Sequence, residues 1–349
     1  MKCTIQNIAD HLGLSRNTVS KALKNSSEVS ENTRNLVIKT ASKLGYKNAT
    51  FATPVIAASE TGSNGTILFL TRTYASDSEF WTTVLRGIES ILSNANYHLA
   101  ISIMSDSDLK QLNFPQTISD SSIKGIILVE ICDKVVCDAL SQFNLPIVSV
   151  DMPNVPFEEL NGIDVVTMES KKNLKKIINQ LIEKGAESFG FVGDLYSPNV
   201  SRGFQERYNA LSECLAEHQL PLNQKNCLLH QTPEDFRNFQ TTVNNLQAMI
   251  SLPDVFICGN DWTAIQLIYA LQFLGFQIPK DICVVGFDNI PAASRISPSL
   301  TTISTPQKYL GIAAARQILE RIQHPNCPHV FCQYETELII RNSTNITSF

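Results

Sequence analysis

The chain has 349 residues, 43% hydrophobic and 17% charged, with a net charge of −5. That length accommodates a small module plus one or two α/β cores, and the composition excludes disorder as the main state. No run of about 18 apolar residues occurs, and the amphipathic start MKCTIQNIADHLG lacks the apolar core of a secretory signal, so a soluble, cytoplasmic protein with no membrane partner is expected.

Charge is unevenly spread along the sequence. Residues 1–50 hold eight Lys/Arg against three acids, a local +5 that leaves −10 for the rest. A basic head on an acidic body is the asymmetry expected when only the head approaches phosphates. In that head Ile5, Ile8, Ala9 and Leu12 recur at helical spacing until Gly13 provides a tight turn. Ser15 then caps a second helix with Val19, Ala22 and Leu23 on its apolar face. A third starts at Ser30, with Leu36, Val37, Ala41 and Leu44 as its stripe and Gly45 as its stop. Two short helices joined through Gly-Leu-Ser form a helix-turn-helix. Its second helix enters the major groove, so Arg16, Asn17 and Lys21 face base edges, Arg or Lys suiting guanine and Asn adenine. Thr18, Ser20 and the helix's first amides hold phosphates, and Thr33 completes the expected DNA-binding set. The rival reading is that these residues are the solvated face of a small helical bundle.

The elements IADHLGLSRNTVSKAL, VSENTR and KLGY occur in that order. With them, residues 1–46 resemble the head of the lactose/galactose-repressor family of bacterial regulators. The resemblance implies binding to double-stranded operator DNA as a homodimer, with Arg16, Asn17 and Lys21 at base-reading positions. Residues 47–64, rich in small and polar residues with Pro54 and Gly62, read as a hinge linker. The family carries a hinge helix here whose leucine wedges into the minor groove. This sequence departs from that pattern: a short helix capped by Thr53, with Pro54 first and Val55 or Ile56 as the wedge, is what it allows.

From residue 65 onward, apolar runs alternate with amphipathic stretches. The runs are GTILFL, HLAISI, GIILV, PIVSV, FGFVG, DVFICG and CVVGF; the stretches between them include FWTTVLRGIESILSNA, SKKNLKKIINQLIEKG and DWTAIQLIYALQFLG. Uninterrupted apolar strands each followed by a helix imply α/β architecture, with parallel sheets covered on both faces, and the number of strands implies two lobes. Ligands of such sheets collect at the carboxyl ends of strands. The polar residues there are Tyr74, Asp77, Asp151, Asp194, Asn260, Asp261 and Asp288. Carboxylates and amides that grip vicinal hydroxyls, with an aromatic on the apolar ring face, suit a sugar-like effector. An aspartate after a strand is as often a helix cap.

The family resemblance continues through NLPIVSVDM, PDVFICGNDWTAIQLIYALQFLGFQIPKDICVVGFDNIP and ETELIIRNST. It implies a periplasmic-binding-protein-like body of two doubly wound sheets over residues 65–349. The first lobe would span about 65–164 plus 295–325, the second about 165–294 plus 326–349, with three crossings and hinge closure on the effector. It further implies that Phe80 or Trp81 stacks on the effector and Asp151 faces it from the first lobe, while Arg207 joins Asn260, Asp261 and Asp288 on the second. Ala210 stands where the family has a glycine after that arginine, and Phe80 and Trp81 serve equally well as core residues. The nine cysteines form no CxxC pair, which suits a reduced compartment. His324, Cys327, His329 and Cys332 match no zinc spacing, so no metal or cofactor is expected. No GxSxG, Walker, GxGxxG or HExxH motif supports an enzyme, and a transport-type binding protein would need an export signal. The resulting expectation is a repressor under effector control.

Overall fold

The computed structural model describes residues 4–23, 29–30, 33, 36–37, 40–41, 63–72, 78–195, 201–230 and 238–349. The chain divides into two units, Met1–Gly62 and Ser63–Phe349.

In the first unit, α1 (Ile5–Leu12) starts on a capping box in which the Thr4 hydroxyl accepts from Asn7 N and the Asn7 side chain accepts from Thr4 N. It ends on Gly13 at φ 64°, a left-handed turn that glycine adopts without strain. The second helix, α2 (Arg16–Leu23), is capped by Ser15, whose hydroxyl accepts from Thr18 N at 3.0 Å. Ser30 accepts from Thr33 N at 3.3 Å, and the described positions Thr33, Leu36, Val37, Thr40 and Ala41 have helical backbone. Ile8, Ala9, Val19, Ala22, Val29, Val37 and Ala41 form the core of this unit. Leu36, expected in the packing stripe, is 50% exposed. Val37 and Ala41, four residues apart, share the buried face, and Leu36 lies about 100° away from it. Leu44, Gly45 and the expected hinge helix around Pro54, Val55 and Ile56 lie outside the described residues.

The second unit contains two sheets. The first has strand order β11-β5-β4-β3-β1-β2, all parallel, from β1 (Gly65–Arg72), β2 (Tyr97–Met104), β3 (Ile123–Val129), β4 (Ile147–Val150), β5 (Ile163–Met168) and β11 (Phe331–Tyr334). The second has order β12-β10-β9-β8-β6-β7, from β6 (Phe189–Asp194), β7 (Leu228–His230), β8 (Val255–Cys258), β9 (Cys283–Asp288), β10 (Thr301–Ser304) and β12 (Glu337–Ile339), with only β12 antiparallel. Helices α3 (Glu79–Asn94), α4 (Asp106–Gln111) and α5 (Lys134–Ser141) follow strands of the first sheet, and α6 (Lys172–Glu183), α7 (Arg202–Glu217), α8 (Phe239–Ala248) and α9 (Asp261–Phe273) belong to the second. The long α10 (Gln307–Gln323) returns to pack on α3 and the first sheet.

The lobe boundaries differ from the expected ones. The chain crosses after Met168, Ser304 and Tyr334, not near 164, 294 and 325, because β5 pairs with β4 and β10 with β9. The run IDVVTM, which spans the expected boundary near 164, is buried at every position and completes the first sheet. In β10, Thr301 and Thr302 are buried with their hydroxyls bonded to Thr344 and Asp261, so a strand with a polar sequence is interior at all but its last residue. The return to the first lobe begins only with α10, and β11 then pairs with β5. The first and third crossings are laced together: Glu169 N donates to Tyr334 O at 2.8 Å, Lys172 pairs with Glu335 at 3.1 Å, and Asn173 donates to Thr336 O at 2.7 Å.

Candidate functional site

Arg16 and Asn17 are exposed on the first turn of α2, and Lys21, half-buried, follows one turn later. Thr18 and Ser20 are half-buried beside them, and the Thr18 and Thr33 hydroxyls lie 2.8 Å from the capping hydroxyls of Ser15 and Ser30. Each threonine therefore marks a helix start, where backbone amides without helical partners are available to an anion.

In the body, the carboxyl ends of β1, β3, β4 and β5 face those of β6, β8 and β9 across a cavity of about 650 Å³. From the first lobe it is lined by Arg72, Phe80, Trp81, Glu130, Cys132, Asp151 and Met168, among others. The second lobe contributes Asp194, Ser201, Phe204, Arg207, Asn260, Trp262 and Asp288. Three of the polar residues have left-handed backbones: Glu130 at φ 56°, Asp151 at 71° and Asp288 at 118°. A side-chain-bearing residue in that region is strained, and such strain gathers where a side chain must be aimed.

Each carboxyl has its own surroundings. Asp151 accepts from Met152 N at 2.8 Å and from the Ser201 hydroxyl, and burial raises its pKa against those bonds. Burial pushes Asp288 well above the usual carboxylate range, against the pull of Arg207. The carbonyl oxygen of Asp288 accepts from the Gln307 side chain at 2.7 Å, which connects the site to the crossing between β10 and α10. Arg207, 4% exposed, lies 3.6 Å from the centre of the Phe287 ring and donates to Gly259 O at 2.6 Å. Burial draws its pKa down, and Asp288 and Asp151 oppose that. Asn260 caps α9 by accepting from Thr263 N at 2.9 Å and also lines the cavity, so its capping and lining roles coexist. Phe80 and Trp81 meet edge to face at 4.6 Å, packing into the core and lining the cavity at once.

Asp261, expected among the effector-binding residues, is not in the lining. Its carboxylate turns into the second lobe, accepting from Thr302 Oγ1 at 2.5 Å and Ile290 N at 2.9 Å, and burial lifts its pKa to about 6. The first position of a helix aims a side chain back over the preceding turn, and Gly286 leaves room there: a Cβ on it would lie 2.2 Å from Asp261 Oδ1. Trp262 takes the place in the cavity. Tyr74 and Asp77 lie outside the described residues. Glu130 was missed, although it directly follows the apolar run GIILV and obeys the same rule that selects Asp151. Arg72 was missed because it is the last residue of its own strand. Among the described residues no group of three His, Cys, Asp or Glu is placed to hold a metal ion.

The chain matches the model for bacterial regulatory proteins of the lacI family over residues 4–48 and that for a periplasmic binding protein-like domain over 178–344. It is 26% identical over 345 residues to the HTH-type transcriptional repressor PurR of Photobacterium profundum, covering 97% of this chain and 98% of that one. Among solved structures, a LacI family regulator from Enterococcus faecium with bound ribose superposes with TM-score 0.65 at 24% identity, over 80% of this chain and 98% of that one. The lac repressor dimer bound to operator and an anti-inducer superposes with TM-score 0.66 at 20% identity, over 99% of each chain.

Proposed function

The chain belongs to the lacI family of bacterial regulatory proteins, and from that premise we propose how its two units divide the work of an effector-controlled repressor. It is a DNA-binding regulator and not an enzyme. The head binds operator DNA through α2, with Arg16, Asn17 and Lys21 at base edges and Thr18, Ser20 and Thr33 near phosphates. The cleft takes a sugar-like effector, held by Asp151, Arg207, Asn260 and Asp288 with Phe80 and Trp81 against its ring. The observation that carries this reading is the convergence of strand ends from both sheets on one polar, aromatic-lined cavity. Its acceptors, donors and rings are those that recognise vicinal hydroxyls and an apolar ring face.

The chain acts as a homodimer, the arrangement of the lac repressor bound to its operator, and works in the cytoplasm, where its duplex is. Among the described residues no helix is long and apolar enough to cross a membrane. Effector bound between the lobes favours their closed arrangement, and the difference in its affinity for the two arrangements sets how far operator binding shifts. The test is to select duplexes from a random pool with the full chain, then titrate the selected duplex with and without neutral, acidic and amino sugars. The expected result is a sequence preference and a change in DNA affinity of about fivefold or more with one of the sugars. Equal binding to selected and random duplexes would overturn the reading.

A further inference from the structure

Among the described residues, more acidic than basic side chains line the cleft. Glu130, Asp151, Asp194 and Asp288 line one cavity and act on one another electrostatically. Two guanidinium groups face them, and that of Arg72 also pairs with Asp106, outside the lining, at 2.8 Å. Arg207 lies on Phe287 and donates to Gly259 O. Trp81 donates to the Glu130 side chain, but Glu130 Oε2 is buried with no hydrogen-bond partner among the described residues. The strand β3 therefore ends by aiming a carboxyl, on a strained backbone at φ 56°, into a cavity that leaves one of its oxygens unanswered.

Resting on the reading of this cleft as a sugar site, we infer that the effector is an amino sugar, its ring hydroxyls meeting Asp151, Asn260 and Arg207 and its ammonium group pairing with Glu130. A buried carboxylate without a counter-charge is costly, whereas one that is paired and hydrogen-bonded is tolerated. Burial pushes Glu130 up to about 7 and Asp288 well above the ordinary range, so both carboxyls keep their protons to a higher pH than an exposed acid does. An ammonium group relieves the same strain by pairing. A neutral sugar donates hydroxyls but brings no charge, and a uronic acid adds another negative group to four carboxyls. Trp81, Phe80, Phe204 and Trp262 supply ring faces, which attract a cation as well as covering a sugar ring.

The experiment is calorimetric titration of the full chain with D-glucosamine, D-galactosamine and D-mannosamine. Each is compared with its neutral parent sugar and with D-glucuronate and D-galacturonate. One amino sugar should bind about tenfold more tightly than its parent, with the uronates weakest. Glu130→Gln should weaken that amino sugar about tenfold and narrow its advantage over the parent, and Glu130→Asp should retain part of it. A neutral parent that binds as tightly as its amine, or a uronate that binds tightest, overturns the inference. So does an advantage unchanged in the glutamine variant. If a neutral sugar binds and shifts operator affinity, the charge inference falls and the sugar reading stands. If no sugar of any charge binds, both fall.

Discussion

Asp164 and Arg321 explain a stretch that sequence reasoning could only describe as an unmatched His/Cys cluster. Arg321 reaches Asp164 with Nε at 3.0 Å and its terminal nitrogen at 2.7 Å, and donates to the carbonyls of Pro325, Cys327 and Pro328. The loop HPNCPHVFC thus wraps a guanidinium. Burial pushes Asp164 up, but Arg321, Val330 N and Gln317 outweigh it and hold the carboxyl below its ordinary value. Asp164→Ala leaves Arg321, 5% exposed, without its counter-charge and should cost about 3–5 kcal/mol of stability, read from denaturant unfolding. Glu130 behaves in the opposite sense. Its folded pKa of about 7 lies above the ordinary 4.5, so the folded state holds the proton more tightly than the unfolded chain does. That stabilisation is complete below the unfolded value and lost as pH rises to about 7. Arg72, Arg207, Asp151, Asp194 and Asp288 all face this group in the cleft, and the raised Asp151 and Asp288 act in the same direction. The melting temperature of the unliganded chain should therefore fall between about pH 5 and 7.5, and fall less in Glu130→Gln; a profile that rises through this window would refute it. The rule that polar residues after strands line a cleft could be read in the sequence and identifies Asp151, Asp194, Asn260 and Asp288. It could not separate Asn260, which faces the cavity, from its neighbour Asp261, which faces the core, since one residue along a helix start turns the side chain by about 100°.

In α10, Gly311 lies against α3 so closely that an added Cβ would sit 2.0 Å from Val84 O, and one on Gly87 would sit 2.3 Å from Lys308 O. Alanine favours a helix over glycine by about 1 kcal/mol, but here the backbones must separate to admit it. Gly311→Ala should thus destabilise the body by about 1–3 kcal/mol, against its helix propensity, as measured by denaturant melts. On α2, Arg16 is exposed at the first turn and makes its contribution only on DNA. Arg16→Ala should weaken specific operator binding by about 1–3 kcal/mol in anisotropy titrations, relaxing base preference at one position while leaving the head's melting unchanged. The helices of the head and the apolar strands of both lobes were readable because their caps and periods are local signals. The strands β7, β10 and β11 were not: they are short, and in β10 buried threonines are satisfied by partners about 40 residues away in sequence, Thr344 and Asp261. Burial of a polar strand depends on those distant partners and leaves no apolar pattern behind it.

At the scale of the whole chain, two units and three crossings make different demands on stability. Each unit has its own hydrophobic core, that of Met1–Gly62 drawn, among the described residues, from seven buried side chains and that of Ser63–Phe349 from two sheets and their helices. A core that small buries a lesser share of its unfolded surface and is the less stable of the two. Calorimetry of the full chain should therefore show two transitions, the lower belonging to the head. An effector in the cleft binds residues of both lobes but none of the head, so it should raise the upper transition alone. At a ligand concentration of about 100 times Kd the gain is about 2.7 kcal/mol, equivalent to several degrees for a body of this size. The crossings determine whether closure follows. Asp288 lines the cavity with its side chain while its carbonyl holds Gln307 at the start of α10, so a ligand that moves Asp288 also moves the segment joining the lobes. Gln307→Leu removes that bond without touching the lining. It should leave the ligand-induced rise of the upper transition in place but reduce the ligand's effect on operator affinity, which the same titrations read. A full ligand effect on DNA in this variant would mean that the first and third crossings, laced by Glu169, Asn173 and Lys172, transmit closure without Gln307.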